Sequence, residues 1–185
     1  VLIVDLDPQG NASTGLGISR KSREKSSHDV LTGALALEDA VVPTAVPNLS
    51  VVPSTLDLLG FEQTMATARD RVYRLRAAIK TYREKVASGE GFGYILIDCP
   101  PSLNLLTINA MAASDSVLVP LQCEFFALEG LSQLLETVEH VRETLNPALT
   151  IHGVVLTMFD RRNNLSGQVV DDVRAFMGSQ VYQTV

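Results

Sequence analysis

The amino-acid sequence predicts an α/β fold in which a mostly parallel sheet is flanked by helices. Short apolar runs bounded by polar or turn residues recur along the chain, and such runs are typical of strands buried on both faces. Longer segments between them repeat apolar residues every 3.6 positions, as amphipathic helices do. With 185 residues, 46% of them apolar, the chain is long enough to bury a proper core.

Strands and helices alternate along the chain. The predicted strands are Val1–Leu6, Leu49–Val52, Tyr94–Ile97, Ser116–Leu121 and Ile151–Phe159. The clearest helix runs from Phe126 to Leu145, because its Leu and Val residues form one stripe and Pro147 ends it. Further helices are predicted after Asn164 and across residues 72–86. This alternation favours parallel pairing of the strands.

The rest of the chain indicates one domain. Residues 10–34, rich in Gly, Ser and charged side chains, are predicted to form the longest loop. No internal repeat, low-complexity tract or Pro-, Gly- or Ser-rich linker divides the sequence, so a single domain spanning 1–185 is expected. No apolar run reaches the length of a membrane span, and Cys99 and Cys123 fit a reducing cytosol because they form no CxxC motif.

Charge is distributed unevenly. The net charge of −6 argues against a uniformly basic nucleic-acid-binding surface, although it leaves room for a local patch. Residues 1–85 hold 11 of the 15 Lys and Arg residues, concentrated at 20–25 and 69–85. Two interpretations of the second stretch stay open. Its cations form either a solvated helix face or a surface that contacts DNA or a partner protein.

Carboxylates follow two of the predicted strands. Asp5 and Asp7 end the first strand, and Asp98 ends the strand before Pro100 and Pro101. Ligands of open α/β sheets bind beyond the carboxyl ends of the strands, where Asp residues often hold hydrated Mg²⁺ beside a nucleotide phosphate. The alternative is that each Asp only caps a helix or forms a turn.

The phosphate-binding motif that such a site needs is missing from these residues. The glycine-rich run 10–17 is not followed by the lysine of GxxxxGK[ST] and also fails GxGxxG. His28, His140 and His152 are isolated, so no metal-ligand cluster is predicted from histidines.

Three long strings nevertheless resemble one family. The strings are VLIVDLDPQGNASTGLG (1–17), YILIDCPPSLNLLTINAMAASDSVLVPLQCEFFALEGLSQLLETV (94–138) and IHGVVLTMFDRRNNLSGQVVDDV (151–173). They closely resemble the ParA/Soj partitioning ATPases of the deviant-Walker-A P-loop class, so the resemblance implies an incomplete P-loop NTPase fold of the SIMIBI type. It also implies a cytoplasmic, nucleoid-associated ATPase that uses ATP and Mg²⁺ and does not bind membranes. Such a protein dimerises on ATP, binds DNA without sequence preference, and is stimulated by a ParB-type centromere-binding partner to move a plasmid or chromosome locus.

The resemblance also assigns roles to carboxylates. Asp7 matches the catalytic acid beside the attacking water, and Asp5 matches the adjacent acid near Mg²⁺. Asp98 matches the Walker B acid, which reaches the metal largely through water. Residues 99–104 correspond to the loop that senses the γ-phosphate.

Two further loops are implicated in the same way. Pro120, Met158 and Asp160 lie on loops that in this family approach the nucleotide base or the dimer face. Arg162 occupies the position of an arginine implicated in DNA contact, and Arg161 beside it is a second cation able to meet a phosphate.

The chain departs from the family at its ends. In the family a KGGVGKT-like phosphate loop precedes the equivalent of Val1, and a basic segment with helices follows the equivalent of Val185. We therefore expect a piece truncated at both ends that neither binds ATP tightly nor hydrolyses it alone. Two alternatives remain: a non-catalytic DNA- or partner-binding module on the same fold, and a MinD-like ATPase, for which the expected C-terminal amphipathic helix is missing here.

Overall fold

The chain divides into two units, Val1–Ala113 and Ser114–Val185, each with its own sheet and apolar core. A computed structural model describes residues 1–86 and 90–183. Both units combine parallel strands with helices, so the predicted α/β class is confirmed. The expectation of one domain over 1–185 stays a prediction.

The first unit contains a four-stranded sheet. Its strands are β1 (Leu2–Asp5), β2 (Val42–Pro43), β3 (Ser50–Val52) and β4 (Ile95–Asp98), in the order β2-β3-β1-β4. β1 lies between β3 and β4 and runs parallel to both, whereas β2 pairs antiparallel with β3. The three apolar runs predicted as strands are confirmed. β2 was not predicted because it has only two residues and ends in Pro43, which is tolerated only at a sheet edge.

Five α-helices lie within the described residues of this unit. They are α1 (Asn11–Gly15), α2 (Ser27–Thr32), α3 (Phe61–Thr64), α4 (Arg74–Lys85) and α5 (Leu105–Ala113). α4 confirms the helix predicted across residues 72–86. Residues 10–34 were predicted as a loop, and that prediction was wrong because α1 and α2 lie inside this range. α2 forms where Ser26 and Asp29 build a capping box and Gly33, with a φ of +81°, ends the helix.

α5 was not predicted from apolar periodicity, because residues on most sides of this helix are buried. Its sequence LLTINAMAA is apolar on nearly every side and carries no polar stripe. Asn104 precedes the first residue of the helix, and its Oδ1 accepts hydrogen bonds from the backbone N–H groups of Leu106 (3.0 Å) and Thr107 (3.2 Å).

Burial differs between the strands of this sheet. In β1, Leu2 and Val4 are fully buried and anchor the core around Phe61. In β4, Leu96 is 55% exposed, so the prediction that the apolar strands are buried on both faces was wrong for this edge strand.

The second unit pairs β5 (Ser116–Gln122) and β6 (Thr150–Thr157) in parallel. Two helices complete it: α6 (Ala127–Thr144) and α7 (Asn164–Met177), the latter capped by the Asn163 side chain. All four elements confirm the predicted strands and helices, although burial on both faces was wrong for β5 as well, since Leu118 is 53% exposed. β6 ends two residues earlier than predicted, because Met158 adopts a φ of +57° and the chain leaves the extended conformation there.

Candidate functional site

Two carboxylates meet where β1 and β4 end. The strands are parallel and in register, with Asp5 opposite Asp98, so the structure brings these side chains to the same edge of the sheet. Asp7 follows two residues later, and the backbone N–H of Leu6 donates to the carbonyl oxygen of Asp98 (2.8 Å). The predicted grouping of three carboxylates at this edge is thus present.

Asp5 is fully buried and its carboxylate is saturated with donors. Its Oδ1 accepts from the backbone N–H of Asp7 (3.1 Å), and its Oδ2 accepts from the N–H (2.8 Å) and Oγ–H (2.6 Å) of Ser13 in α1. The Asp5 carbonyl accepts from Ser27 Oγ (2.6 Å) at the start of α2. Three donors on one buried carboxylate fix the chain that follows β1 against the strand end.

The backbone of Asp7 is fixed as well, whereas its carboxylate is half-buried. Its carbonyl oxygen accepts from Gly10 N–H (2.9 Å) and from Ser54 Oγ (2.6 Å). Its Oδ1 accepts from Gln9 N–H (2.9 Å), and within the described residues Oδ2 has no hydrogen-bond donor. One carboxylate oxygen therefore remains available on a rigidly held residue.

Asp98 is exposed, and the charges of neighbouring carboxylates affect its pKa. Partial desolvation at the sheet edge raises the pKa of its carboxyl group, and the negative charges of Asp5 and Asp7 raise it further. A cation placed among these like charges would relieve their repulsion. The described residues contain no set of three His, Cys, Asp or Glu side chains arranged to hold a metal, so any ion here would complete its shell with water or other oxygens.

The buried guanidinium of Arg23 lies among the carbonyls of the loop after Asp7 and was not predicted from the sequence. Nη1 donates to Ser54 O (3.1 Å), while Nη2 donates to Gly10 O (3.3 Å), Thr14 Oγ1 (2.7 Å) and Ile18 O (2.9 Å). Burial lowers the pKa of Arg23, against the opposing effect of Asp5. Nothing in the charged run 20–25 distinguishes this one cation from its exposed neighbours.

Gly10 permits this arrangement. Its φ of +65° is disfavoured for other residues, and a Cβ there would collide with the Arg23 guanidinium. Glycine is needed at position 10 because the Arg23 guanidinium approaches its Cα closely and because the backbone before α1 adopts a positive φ.

The segment after Asp98 is tied to α5. Thr107 Oγ1 donates to Ser102 O (2.7 Å), and Asn104 caps the helix as described above. Burial, together with the charge of Asp98, raises the pKa of the half-buried Cys99 thiol to about 12. Cys99 is therefore a protonated, unreactive thiol and supplies no nucleophile to the site.

In the second unit, the residues implicated by resemblance lie in or after the two paired strands. Pro120 is exposed within β5, opposite Val155, where its missing N–H is tolerated at a strand edge. Met158 and Asp160 lie just after β6, and Met158 is 76% exposed.

Asp160 and Arg162 form a forked ion pair. Arg162 Nε donates to Asp160 Oδ1 (3.0 Å) and Nη2 donates to Oδ2 (2.9 Å), while the Arg162 backbone N–H also donates to Oδ1 (2.9 Å). The pair lowers the pKa of Asp160 and raises that of Arg162. The Arg162 side chain is 90% exposed, and an ion pair so exposed contributes little net stability.

Residues 1–151 match the family model described as an AAA domain. The whole chain is 57% identical to the chromosome partitioning protein ParA of Caulobacter vibrioides and 48% identical to the sporulation initiation inhibitor protein Soj of Bacillus subtilis. It covers 68% and 71% of their respective lengths.

Among solved structures, the chain is similar to the cobyrinic acid a,c-diamide synthase of Mycobacterium smegmatis with bound ADP and magnesium. The TM-score is 0.85 at 36% identity, and the match covers 94% of this chain and 68% of that one.

Within the described residues, no helix has both the length and the apolar character required to cross a membrane. The AAA-domain match covers most of the chain, and ParA and Soj proteins match its whole length at up to 57% identity. The chain therefore belongs to the ParA/Soj family of chromosome-partitioning ATPases.

Proposed function

We propose that this chain is the ATPase core of a DNA-partitioning protein that hydrolyses ATP with the help of Mg²⁺. The observation that carries the proposal is the meeting of Asp5, Asp7 and Asp98 at one edge of a parallel sheet. Phosphoryl transfer depends mainly on positioning and on charge stabilisation, and carboxylates at strand ends are suited to hold a hydrated divalent cation.

The three carboxylates have different roles in this proposal. Asp7 orients the attacking water, because its backbone is fixed and one carboxylate oxygen is available. Asp98 accepts hydrogen bonds from the hydration shell of Mg²⁺, which would neutralise charge on the phosphates. Asp5 acts on the metal only through its charge, since its carboxylate already accepts three hydrogen bonds and is buried.

The phosphate cradle comes from elsewhere in this proposal. The 185 residues contain no GxxxxGK[ST] motif, so the amides and the lysine that bind the ATP phosphates must be supplied by other sequence. Without them we expect the 185-residue chain to bind ATP weakly and to lack turnover. Pro120 and Met158, both exposed, are proposed to contact the nucleotide base or a second subunit.

ATP binding is proposed to drive formation of a homodimer that binds DNA without sequence preference through Arg161 and Arg162. A ParB-type partner is proposed to stimulate hydrolysis, in a protein that works in the cytoplasm on the nucleoid. The relatives named as chromosome partitioning proteins support this role, and the exposed, weakly held pair of Asp160 and Arg162 suits exchange of a carboxylate for a DNA phosphate.

A second candidate function is a binding module without catalysis. The buried Asp5 carboxylate favours it, because this group already accepts three hydrogen bonds from its own chain. In this alternative the carboxylates only order the loops around the strand ends, as Asp5 visibly does.

Replacement of Asp7 separates the two candidates. ATP turnover is measured on the full-length protein in the presence of DNA and a ParB-type partner. Light scattering measures nucleotide-dependent dimerisation of the same protein. In the ATPase proposal, Asp7→Ala abolishes stimulated turnover and leaves dimerisation intact, because water orientation is lost but binding is not. Asp171→Ala, at an exposed position of α7, is the matched control and retains turnover. Unchanged turnover in Asp7→Ala, or no turnover in the parent protein, favours the binding module.

A further inference from the structure

We propose that Ser54 is a positioning residue for ATP hydrolysis, because its hydroxyl holds the turn that presents the Asp7 carboxylate. Ser54 lies in the segment after β3 and is fully buried. The inference rests on the proposed function, in which Asp7 orients the attacking water. It adds a residue from another segment of the chain to the site, one that acts through Asp7 and does not touch the substrate.

The chain turns directly after Asp7. The backbone N–H of Gly10 donates to the Asp7 carbonyl oxygen (2.9 Å), which closes a β-turn. Pro8 and Gln9 are the central residues of this turn. The N–H of Gln9 donates to Asp7 Oδ1 (2.9 Å), so the carboxylate is attached to the same turn. A shift of the turn therefore moves the carboxylate that is proposed to hold the water.

The peptide group between Asp7 and Pro8 is held through its carbonyl oxygen. Proline has no N–H, so this oxygen is the one hydrogen-bonding group of the peptide. From outside the turn, Ser54 Oγ donates to it at 2.6 Å. Loss of the hydroxyl would leave, among the described residues, the Gly10 N–H as the donor to this oxygen. The turn would then be fastened to itself and no longer to the segment after β3.

Ser54 is itself fixed by both of its backbone groups. Its N–H donates to Ser13 Oγ (3.1 Å), and its carbonyl oxygen accepts from Arg23 Nη1 (3.1 Å). Ser13 Oγ in turn donates to Asp5 Oδ2 (2.6 Å), so Ser54 joins the surroundings of Asp5 to those of Asp7. A buried residue held in this way presents its hydroxyl at one place, as the support of a catalytic group requires.

Ser26 offers a matched hydroxyl in the same unit. It is also buried, and its Oγ donates to Asp29 Oδ2 (2.8 Å) in the capping box of α2. Replacement of either serine by alanine removes one buried hydrogen bond, but of the two serines Ser54 is the one that contacts Asp7. The pair therefore separates a loss of stability from a loss of positioning.

The test measures Mg²⁺-dependent ATP turnover of the full-length protein in the presence of DNA and a ParB-type partner. In Ser54→Ala we expect kcat to fall by about tenfold or more while the KM for ATP is unchanged. The reason is that a misplaced catalytic group slows the chemical step without weakening substrate binding. Ser26→Ala is expected to retain the kcat and KM of the parent. Urea midpoints of the two variants are expected to fall by similar amounts, since each loses one buried hydrogen bond.

Ser54→Thr tests the hydroxyl itself, because it keeps the donor. We expect its kcat to stay within about threefold of the parent, since the hydrogen bond to the Asp7 carbonyl is retained. The inference is overturned if Ser54→Ala keeps the parent kcat, or if its KM rises while kcat is unchanged. It is also overturned if Ser54→Thr is as slow as Ser54→Ala. A Ser54→Ala protein that no longer unfolds cooperatively overturns it as well, because the hydroxyl is then structural.

Asp7→Ala in the same assay keeps this inference apart from the proposed function. If the parent hydrolyses ATP, Asp7→Ala does not, and Ser54→Ala matches the parent, the inference alone is overturned and the proposed function stands. If Asp7→Ala keeps the parent rate, or if the parent has no turnover, the proposed function fails and the role of Ser54 fails with it.

Discussion

The buried Arg23 guanidinium organises the loop behind the carboxylates that we propose to be catalytic. The Arg23 guanidinium replaces its lost water with carbonyl and hydroxyl acceptors from Gly10, Thr14, Ile18 and Ser54. A buried charge is costly unless its donors are satisfied, and here they are. Because Ser54 Oγ also donates to the Asp7 carbonyl, Arg23 and Asp7 share one hydrogen-bonded network.

Removal of this guanidinium is expected to destabilise the fold. Arg23→Met leaves the carbonyl oxygens of Ile18 and Ser54 without their donor, so the free energy of unfolding should fall by about 2–4 kcal/mol. Urea denaturation monitored by circular dichroism measures the change. Arg20→Met, at an exposed neighbouring position, is the control and should stay within about 0.5 kcal/mol of the parent. Equal midpoints for Arg23→Met and the parent would contradict the assigned role.

The Cys99 thiol gives a second prediction. With its pKa raised to about 12, almost no thiolate exists at pH 8, and we expect alkylation at least about a hundredfold slower than in the unfolded chain. Iodoacetamide labelling followed by peptide mass spectrometry measures Cys99 separately from Cys123. Labelling in guanidinium chloride gives the reference rate. Equally fast labelling of the folded and unfolded chains would rule out the buried, protonated thiol.

Elements with a clear period could be predicted from the sequence, whereas elements formed by specific polar contacts could not. The parallel strands and the helices α4, α6 and α7 follow from apolar runs and stripes. α2 depends on the capping box of Ser26 and Asp29, and α5 depends on Asn104 and on burial around most of the helix. The two caps are local contacts that apolar periodicity does not register, whereas the burial around α5 is set by tertiary structure.

Asn109 joins α5 to α4 and provides a test at this scale. It is fully buried, and its Oδ1 accepts from Leu75 N–H (3.3 Å) while its Nδ2 donates to Arg71 O (2.8 Å) and Leu105 O (2.9 Å). Asn109→Leu keeps the size but removes these bonds, so the free energy of unfolding should fall by about 2–3 kcal/mol. Chemical denaturation measures the free energy of unfolding of this variant and of the control Gln133→Leu, at an exposed position of α6. A loss no larger than that of the control would count against this role of Asn109.

At the scale of the whole molecule, the candidate site combines residues distant in sequence. Asp5 and Asp98 could be predicted to meet because parallel strands end at one edge of a sheet. The sequence did not indicate that Asp5 is buried and saturated with donors while Asp98 is exposed, since that difference depends on Ser13 in α1. The pairing of Asp160 with Arg162 was likewise invisible, although both were candidates for separate roles.

The charges of Asp5 and Asp7 at the sheet edge predict that the ionised Asp98 carboxylate lowers the stability of the fold while serving the proposed reaction. Because desolvation and the charges of Asp5 and Asp7 raise the pKa of Asp98 in the folded chain, its ionised form costs stability. The cost is fully present above the folded-state pKa, shrinks as pH falls, and vanishes below the unfolded-state pKa. Asp98→Asn should therefore be more stable than the parent at pH 8 by up to about 0.5 kcal/mol, a small gain because the side chain is partly solvated.

Denaturant unfolding of Asp98→Asn and the parent between pH 3 and pH 8 follows this difference. We expect Asp98→Asn to have a higher free energy of unfolding than the parent at pH 8 and the same value in acid. We also expect this substitution to abolish Mg²⁺-dependent ATP turnover in the full-length protein. Asp171→Asn removes the same charge from the second unit and should not reproduce the pH profile. A parent more stable than Asp98→Asn at pH 8 would mean that the Asp98 carboxylate is stabilised, and not strained, by its neighbours. A stability gain coupled to lost turnover would instead identify Asp98 as a residue whose charge serves the reaction at the expense of the fold.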